Sequence, residues 1–326
     1  MNTFGRKFRV SLFGESHGAC VGACVDGCPA GTPLQPSDFT LDLQRRQSGA
    51  RGTTARAERD VPELLSGVFE GKATGAPIAI LFRNENTRSG DYAELLSHPR
   101  PGHADFVAAH KFGGHADYRG GGHFSGRLTL ALVAAGVIAK KLLGSATVTS
   151  TILEIGGAKY GAHSAALEEA IAGGDSLGGL LECVVGNMPV GWGEPFFDSV
   201  ESLVSHIVFA IPGVRGVAFG SGFAAAQQKG SEHNDPIVSP CGKTKTNHAG
   251  GVNGGISNGN DLVFRVAVKP TASISAPQQT FDFGKDRVGE LRIRGRHDAC
   301  IALRAPVVVE AATAIALADL MLLQAR

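Results

Sequence analysis

Hydrophobic and polar residues alternate over 8–13 and again over 261–268, the two-residue period of a strand with one buried face. The same pattern predicts strands at 21–26, 148–155, 180–187 and 214–219, with a weaker one at 291–293. Segments 64–70 and 77–83 read as a hairpin across Glu70-Gly71. Helical spacing predicts a helix over 39–47 after the start signal Pro36-Ser37-Asp38, and a short one opening at Asp105. Longer helices are expected over 128–143, closed by Gly144, over 164–172, from Asp198 to about 209, and over 306–324. Strands and helices do not alternate strictly enough for a doubly wound sheet, and no repeat of 20–50 residues is visible. The pattern therefore predicts a mixed α+β fold with several antiparallel strands, in one large domain or two.

Composition then narrows the function classes. With 31 basic and 30 acidic residues, the chain has no global field to recruit nucleic acid or an anionic membrane. Aromatics are scarce and not interleaved with the basic runs, which disfavours base stacking. Lys140, Lys141, Glu310 and Asp319 interrupt the two most apolar stretches, so these are expected to be core helices and not membrane spans. Cys20, Cys24 and Cys28 recur every fourth residue and should share one face. Their spacing fits no zinc pattern, and they read as small buried hydrophobes. The N-terminus carries no apolar signal core, so reduced thiols and a cytoplasmic location are expected.

The candidate chemistry sits in glycine-rich loops. His17 lies in Gly14-Glu15-Ser16-His17-Gly18 and His103 in Arg100-Pro101-Gly102-His103-Ala104-Asp105. An imidazole can hold or release a proton near neutral pH, and flanking glycines leave it open to a ligand. The first loop also fits G-x-S-x-G, so a serine hydrolase built on Ser16 is the rival enzyme reading. That motif requires a helix after the serine, and residues 19–26 read as a strand. The histidines at 98, 103, 110, 115 and 123 lack metal-ligand spacing, so no metal site is expected. Arg45, Arg46 and Arg51, then Arg100 and Arg127, then Arg296 and Arg304 suggest a small polyanion gripped by guanidinium groups. Gly120-Gly121-Gly122 before the helix at 128 could cradle an anion, and Lys269-Pro270-Thr271-Ala272-Ser273 offers an ammonium and two hydroxyls. A non-enzymatic phosphate-metabolite binder is the third reading.

Together these segments, with Asn247–Gly251, Gly254-Gly255-Ile256-Ser257 and Gly295-Arg296-His297-Asp298, resemble the chorismate synthase family over essentially the whole chain. The resemblance implies a β-α-β sandwich of mixed, largely antiparallel sheets flanked by helices, a single domain over 1–326, and a homotetramer. It implies anti-1,4-elimination of phosphate from 5-enolpyruvylshikimate 3-phosphate to give chorismate, dependent on reduced FMN. No added reductase domain is apparent, so flavin reduced elsewhere is expected, with NADPH as the candidate reductant. The implied catalytic residues are His17, His103 and Asp298. Flavin contacts would fall to His123, Phe124, Ser125, Gly254, Lys269, Pro270, Thr271, Ala272, Ser273 and Arg296. Arg45, Arg46, Arg51, Arg100 and Arg127 would serve the substrate and nucleotide region. This chain departs from the family pattern at His123, where arginine is usual, and at Pro212-Gly213, where an Asn-Ala pair is common.

Overall fold

The computed structural model describes residues 2–56, 58–87, 95–293, 295 and 297–324. The first sheet joins β1 (Thr3–Phe4), β2 (Arg9–Gly14), β3 (Cys20–Asp26), β4 (Glu63–Ser66) and β7 (Ile78–Arg83) in the order β1-β2-β3-β7-β4. Helix α1 (Thr40–Arg46) intervenes, and the tip strands β5 (Val68–Phe69) and β6 (Lys72–Ala73) pair across Glu70-Gly71. Both turn residues have positive φ, 48° and 72°, which suits a tight hairpin between right-twisted strands.

The second sheet holds β8 (Thr147–Ile155), β9 (Ala158–Lys159), β10 (Gly179–Gly186), β11 (Val214–Phe219) and β14 (Leu262–Val268), ordered β11-β14-β10-β8-β9. All these pairings are antiparallel. Helix α3 (Thr129–Leu142) packs on the first sheet, α7 (Ala305–Gln324) packs on the second, and the two helices pack on each other. Strand β14 shows the physical basis: Leu262, Phe264, Val266 and Val268 are buried while alternate residues face out. The core is one large cluster with a small satellite of Leu95, Leu291 and Ile293. The remaining elements are α2 (Asp105–Lys111), α4 (Ser164–Ala172), α5 (Val200–Phe209), α6 (Gly230–His233) and the hairpins β12 (Val252–Asn253) with β13 (Ile256–Ser257) and β15 (Gln278–Asp282) with β16 (Arg287–Leu291).

Three local expectations are corrected. The start of α5 is capped by Ser199, whose hydroxyl accepts from the Ser202 amide at 3.0 Å, and not by Asp198. The strand expected at 291–293 ends at Leu291 and belongs to the β15–β16 hairpin. Only Cys20 and Cys24 share a strand face, where both are half-buried; Cys28 lies past the strand end and is buried.

The helix spanning Ile301–Gln324 is long and apolar enough to cross a membrane, but 78% of its apolar window is buried inside the fold. Its two acids explain themselves. Glu310 accepts from Arg45 at 2.6 Å, Lys140 at 3.0 Å and the Ser150 amide at 3.0 Å. Asp319 accepts the amides of Arg6, Lys7 and Phe8 within 2.6–3.0 Å, which fastens the N-terminal strand to α7. Buried charges are tolerated when hydrogen-bonded in this way.

Candidate active site

A cavity of about 800 Å³ is walled by the loop after β2, part of the basic loop 48–60, the loop before α2, and the turn before α3. The corner between α5 and β11, the 268–273 segment and the start of α7 complete it.

The glycine turn organises both histidines. Gly120, Gly121 and Gly122 have φ of 60°, 82° and 53°, a backbone that side chains resist. A Cβ on Gly120 would stand 2.7 Å from Nε2 of His17, and one on Gly121 would stand 3.3 Å from Nε2 of His103. The two imidazole edges therefore lean on one turn. The sequence suggested an anion cradle there; the structure gives the glycines a second reason, room for two rings.

The His17 loop is braced from three sides. Ser16 donates its amide to the Gly122 carbonyl at 3.1 Å. Arg56 donates to the Ser16 hydroxyl and carbonyl, each at 3.1 Å. His123 donates from Nδ1 to the Gly14 carbonyl at 2.8 Å. The loop then enters β3, with no helix following Ser16. The hydrolase reading loses its required element.

His103 pairs through Nδ1 with Asp105 at 2.6 Å. Burial is the largest influence on this imidazole and lowers its pKa; the Asp105 hydrogen bond opposes it, and the Arg100 charge adds to it. Burial would raise the Asp105 carboxyl, yet hydrogen bonds from Arg100 and His103 hold it well below the usual carboxylate range.

The floor carries more positive than negative charge. Arg127 pairs with Asp60 at 2.5 Å, Arg46 stands 3.7 Å from the same carboxylate, and Arg304 pairs with Asp298 at 2.6 Å. Three guanidiniums thus meet two carboxylates. Burial, then repulsion from Arg304, pushes Arg46 down to about 9. A bound anion would supply the missing charge. Asp298 also accepts the Thr54 amide at 2.8 Å.

Of the residues singled out by sequence, the cavity gathers His17, His103, Asp298, Arg46, Arg100, Arg127, His123, Phe124, Ser125 and the run Lys269 to Ser273. Three are not brought there. Arg45 turns to Glu310, Arg51 pairs with Glu168 at the surface, and Gly254 sits in the turn between β12 and β13. Arg296 lies outside the described residues. Among the described residues, no group of three or more His, Cys, Asp or Glu is placed to hold a metal ion.

The sequence profile of the chorismate synthase family matches residues 8–322. The chain belongs to the chorismate synthase family. The chorismate synthase of Chitinophaga pinensis is 62% identical over 327 residues, covering 100% of this chain and 98% of that relative. That of Korarchaeum cryptofilum is 46% identical, covering 97% and 96%. A crystal structure of chorismate synthase superposes with a TM-score of 0.75 at 27% identity, covering 98% of this chain and 93% of that one. As a chorismate synthase the chain is a lyase of aromatic biosynthesis, and the α+β fold is the family's.

Within the site, sequence reasoning missed Arg56, Asp60 and Asp105, and it counted Arg304 among the cations without giving it a role. Asp105 carried a signal, standing two residues after His103. Asp60 carried none, because Arg127 lies 67 residues away. The reduced flavin implied by the family fits an observation of the site. Thr271 Oγ1 is buried with no hydrogen-bond partner, beside Lys269, in a wall that also presents Phe124. A buried hydroxyl left unpaired is costly unless a ligand completes it.

Proposed function

We propose that this chain converts 5-enolpyruvylshikimate 3-phosphate to chorismate by anti-1,4-elimination, with loss of phosphate and one ring proton, in the presence of reduced FMN. The observation that carries the reading is the pair of imidazole edges on one glycine turn, above a floor with surplus positive charge. A substrate with two carboxylates and a phosphate matches that surplus.

Arg46, Arg127 and Arg304 would bind and orient the anion, in a site dry enough for their charge to act strongly. One imidazole of the His17–His103 pair hands a proton to the departing phosphate, two kinds of group whose ordinary pKa values lie within about one unit of each other. The second holds a proton at the cofactor wall, and Asp298, fixed by Arg304 and the Thr54 amide, keeps a carboxylate available for proton removal. His123, Phe124, Ser125, Gly254, the Lys269–Ser273 run and Arg296 would hold FMN, and Arg51 would serve the substrate and nucleotide region. When bound, the reduced flavin supplies electron density that eases C–O cleavage without net oxidation.

The reading includes one domain, a cytoplasmic homotetramer, and flavin reduced elsewhere with NADPH. Phe196, Phe197 and Phe223, each 86–90% exposed, support burial against further copies. The test is anaerobic phosphate release from the enolpyruvyl substrate with and without photoreduced FMN. Release only with reduced FMN is expected, and release independent of it would refute the proposal. Aerobic turnover driven by NADPH and FMN alone would refute the external supply.

A further inference from the structure

Asp105, whose Oδ1 lies 2.6 Å from Nδ1 of His103, is the first residue of α2. A carboxylate only accepts, so the hydrogen of that bond belongs to Nδ1. A terminal nitrogen of Arg100 also stands 3.0 Å from Nδ1 and could donate there only to a bare nitrogen; the shorter contact with the carboxylate decides for Nδ1–H. The neutral ring then keeps its lone pair on Nε2, the atom beside Gly121 at the cavity. Asp105 is itself immobilised. Arg100 donates to it from Nε at 2.7 Å, from a terminal nitrogen at 2.7 Å, and from its backbone amide at 3.1 Å. The other terminal nitrogen of Arg100 donates to the Ser273 hydroxyl at 2.9 Å. All three guanidinium nitrogens are thus committed within the protein, in a side chain only 3% exposed. Asp105 holds Arg100 in the cavity wall much as Asp60 holds Arg127 and Asp298 holds Arg304.

We propose that Asp105, itself fixed by Arg100, is a positioning residue that holds His103 as its Nδ1–H tautomer with Nε2 toward the cavity. The kinetic part of this proposal rests on the reaction proposed above; the tautomer does not, being a property of the protein alone. A merely structural pair at a helix start would stabilise α2 and leave the choice of tautomer untouched.

The experiment reads both parts on the full chain. Long-range ¹H–¹⁵N spectra of histidine-labelled protein without ligand, assigned with His103→Gln, should show Nδ1 protonated and Nε2 bare at pH 8. Asp105→Asn should give a mixture of tautomers, and Asp105→Glu should restore the Nδ1–H signal in part. Turnover of Asp105→Asn should fall about 100- to 10,000-fold, the range for a displaced acid–base group, with KM within about twofold. Its pH profile should shift the imidazole limb to lower pH. Asp105, Arg100 and, from the 268–273 segment, Lys269 are the charges acting on the ring, and only the first favours its protonation. A wild-type Nε2–H tautomer, or an Asp105→Asn variant that keeps Nδ1–H alone, would overturn the assignment. Should Asp105→Asn not fold, the wild-type spectrum still decides it. If wild type lacks turnover, the reaction fails while the spectrum still tests the tautomer.

Discussion

A methyl group on Gly120 would lie 2.5 Å from Cδ2 of His17, so the imidazole occupies space that any other residue would claim. Gly120→Ala should therefore move the ring. The φ of 60° costs alanine about 1–2 kcal/mol, which the fold can absorb. Displacing a reacting group by about 1 Å costs about 100-fold. Phosphate release should drop by at least that factor while the urea midpoint shifts modestly. Gly289→Ala, where a Cβ meets nothing within 4 Å, is the control and should change neither.

Arg46 should matter for affinity more than for assembly of the site. Its guanidinium donates to the Thr129 hydroxyl and the Gly126 carbonyl, at 3.0 and 2.9 Å, yet the neighbouring cations leave its charge short of a full partner. Arg46→Gln removes one charged contact to the anion, worth about 1.5–3 kcal/mol. Calorimetric titration with substrate should show affinity weakened about ten- to a hundredfold. The same affinity in both proteins would remove Arg46 from the binding site.

Most of this fold is legible in the sequence because most elements bury one face. The alternation of β14 and the long apolar run of α3 are readable without partners. The β15–β16 hairpin was not, since Gln278 to Leu291 is largely polar and half exposed, leaving little pattern for a period to mark. The arginines expose a different limit. Arg45 and Arg46 are adjacent, yet one turns to Glu310 on α7 and the other to Thr129 and the cavity. Successive helical residues point about 100° apart, and what each meets is set by chain 265 residues away for Arg45 and 83 for Arg46. Composition counted the cations; only packing separated structural from functional ones.

The lowered pKa of His103 predicts a pH effect on stability with a definite sign. The native ring stays neutral at pH values where the unfolded ring, near 6.5, takes up a proton. The unfolded state then binds more protons, so stability is lost as pH falls below about 6.5, by at most about 1.4 kcal/mol per unit for one group. Asp105 works in the same direction, but at lower pH. Its depressed carboxyl contributes stability that is present above its ordinary value of 3.8 and disappears only as pH drops beneath that. Urea unfolding between pH 7 and 5 thus isolates the imidazole. His103→Gln should lose less stability over this window than wild type, and parallel losses would contradict the shift.

Where α3 crosses α7, a Cβ on Gly136 would approach the Cβ of Ala311 to 2.3 Å and its Cα to 2.5 Å. The obstacle includes backbone, so no side-chain rotation can relieve it. In an isolated helix Gly136→Ala would gain about 1 kcal/mol. Here the helices must separate between the two sheets, and overpacking a close-packed core costs about 1–3 kcal/mol or more. The clash should win. Thermal unfolding of Gly136→Ala should occur at a lower temperature than wild type, and a Gly136→Ala, Ala311→Gly double variant should recover part of the loss. A more stable single variant would mean that the two helices are not held at this separation.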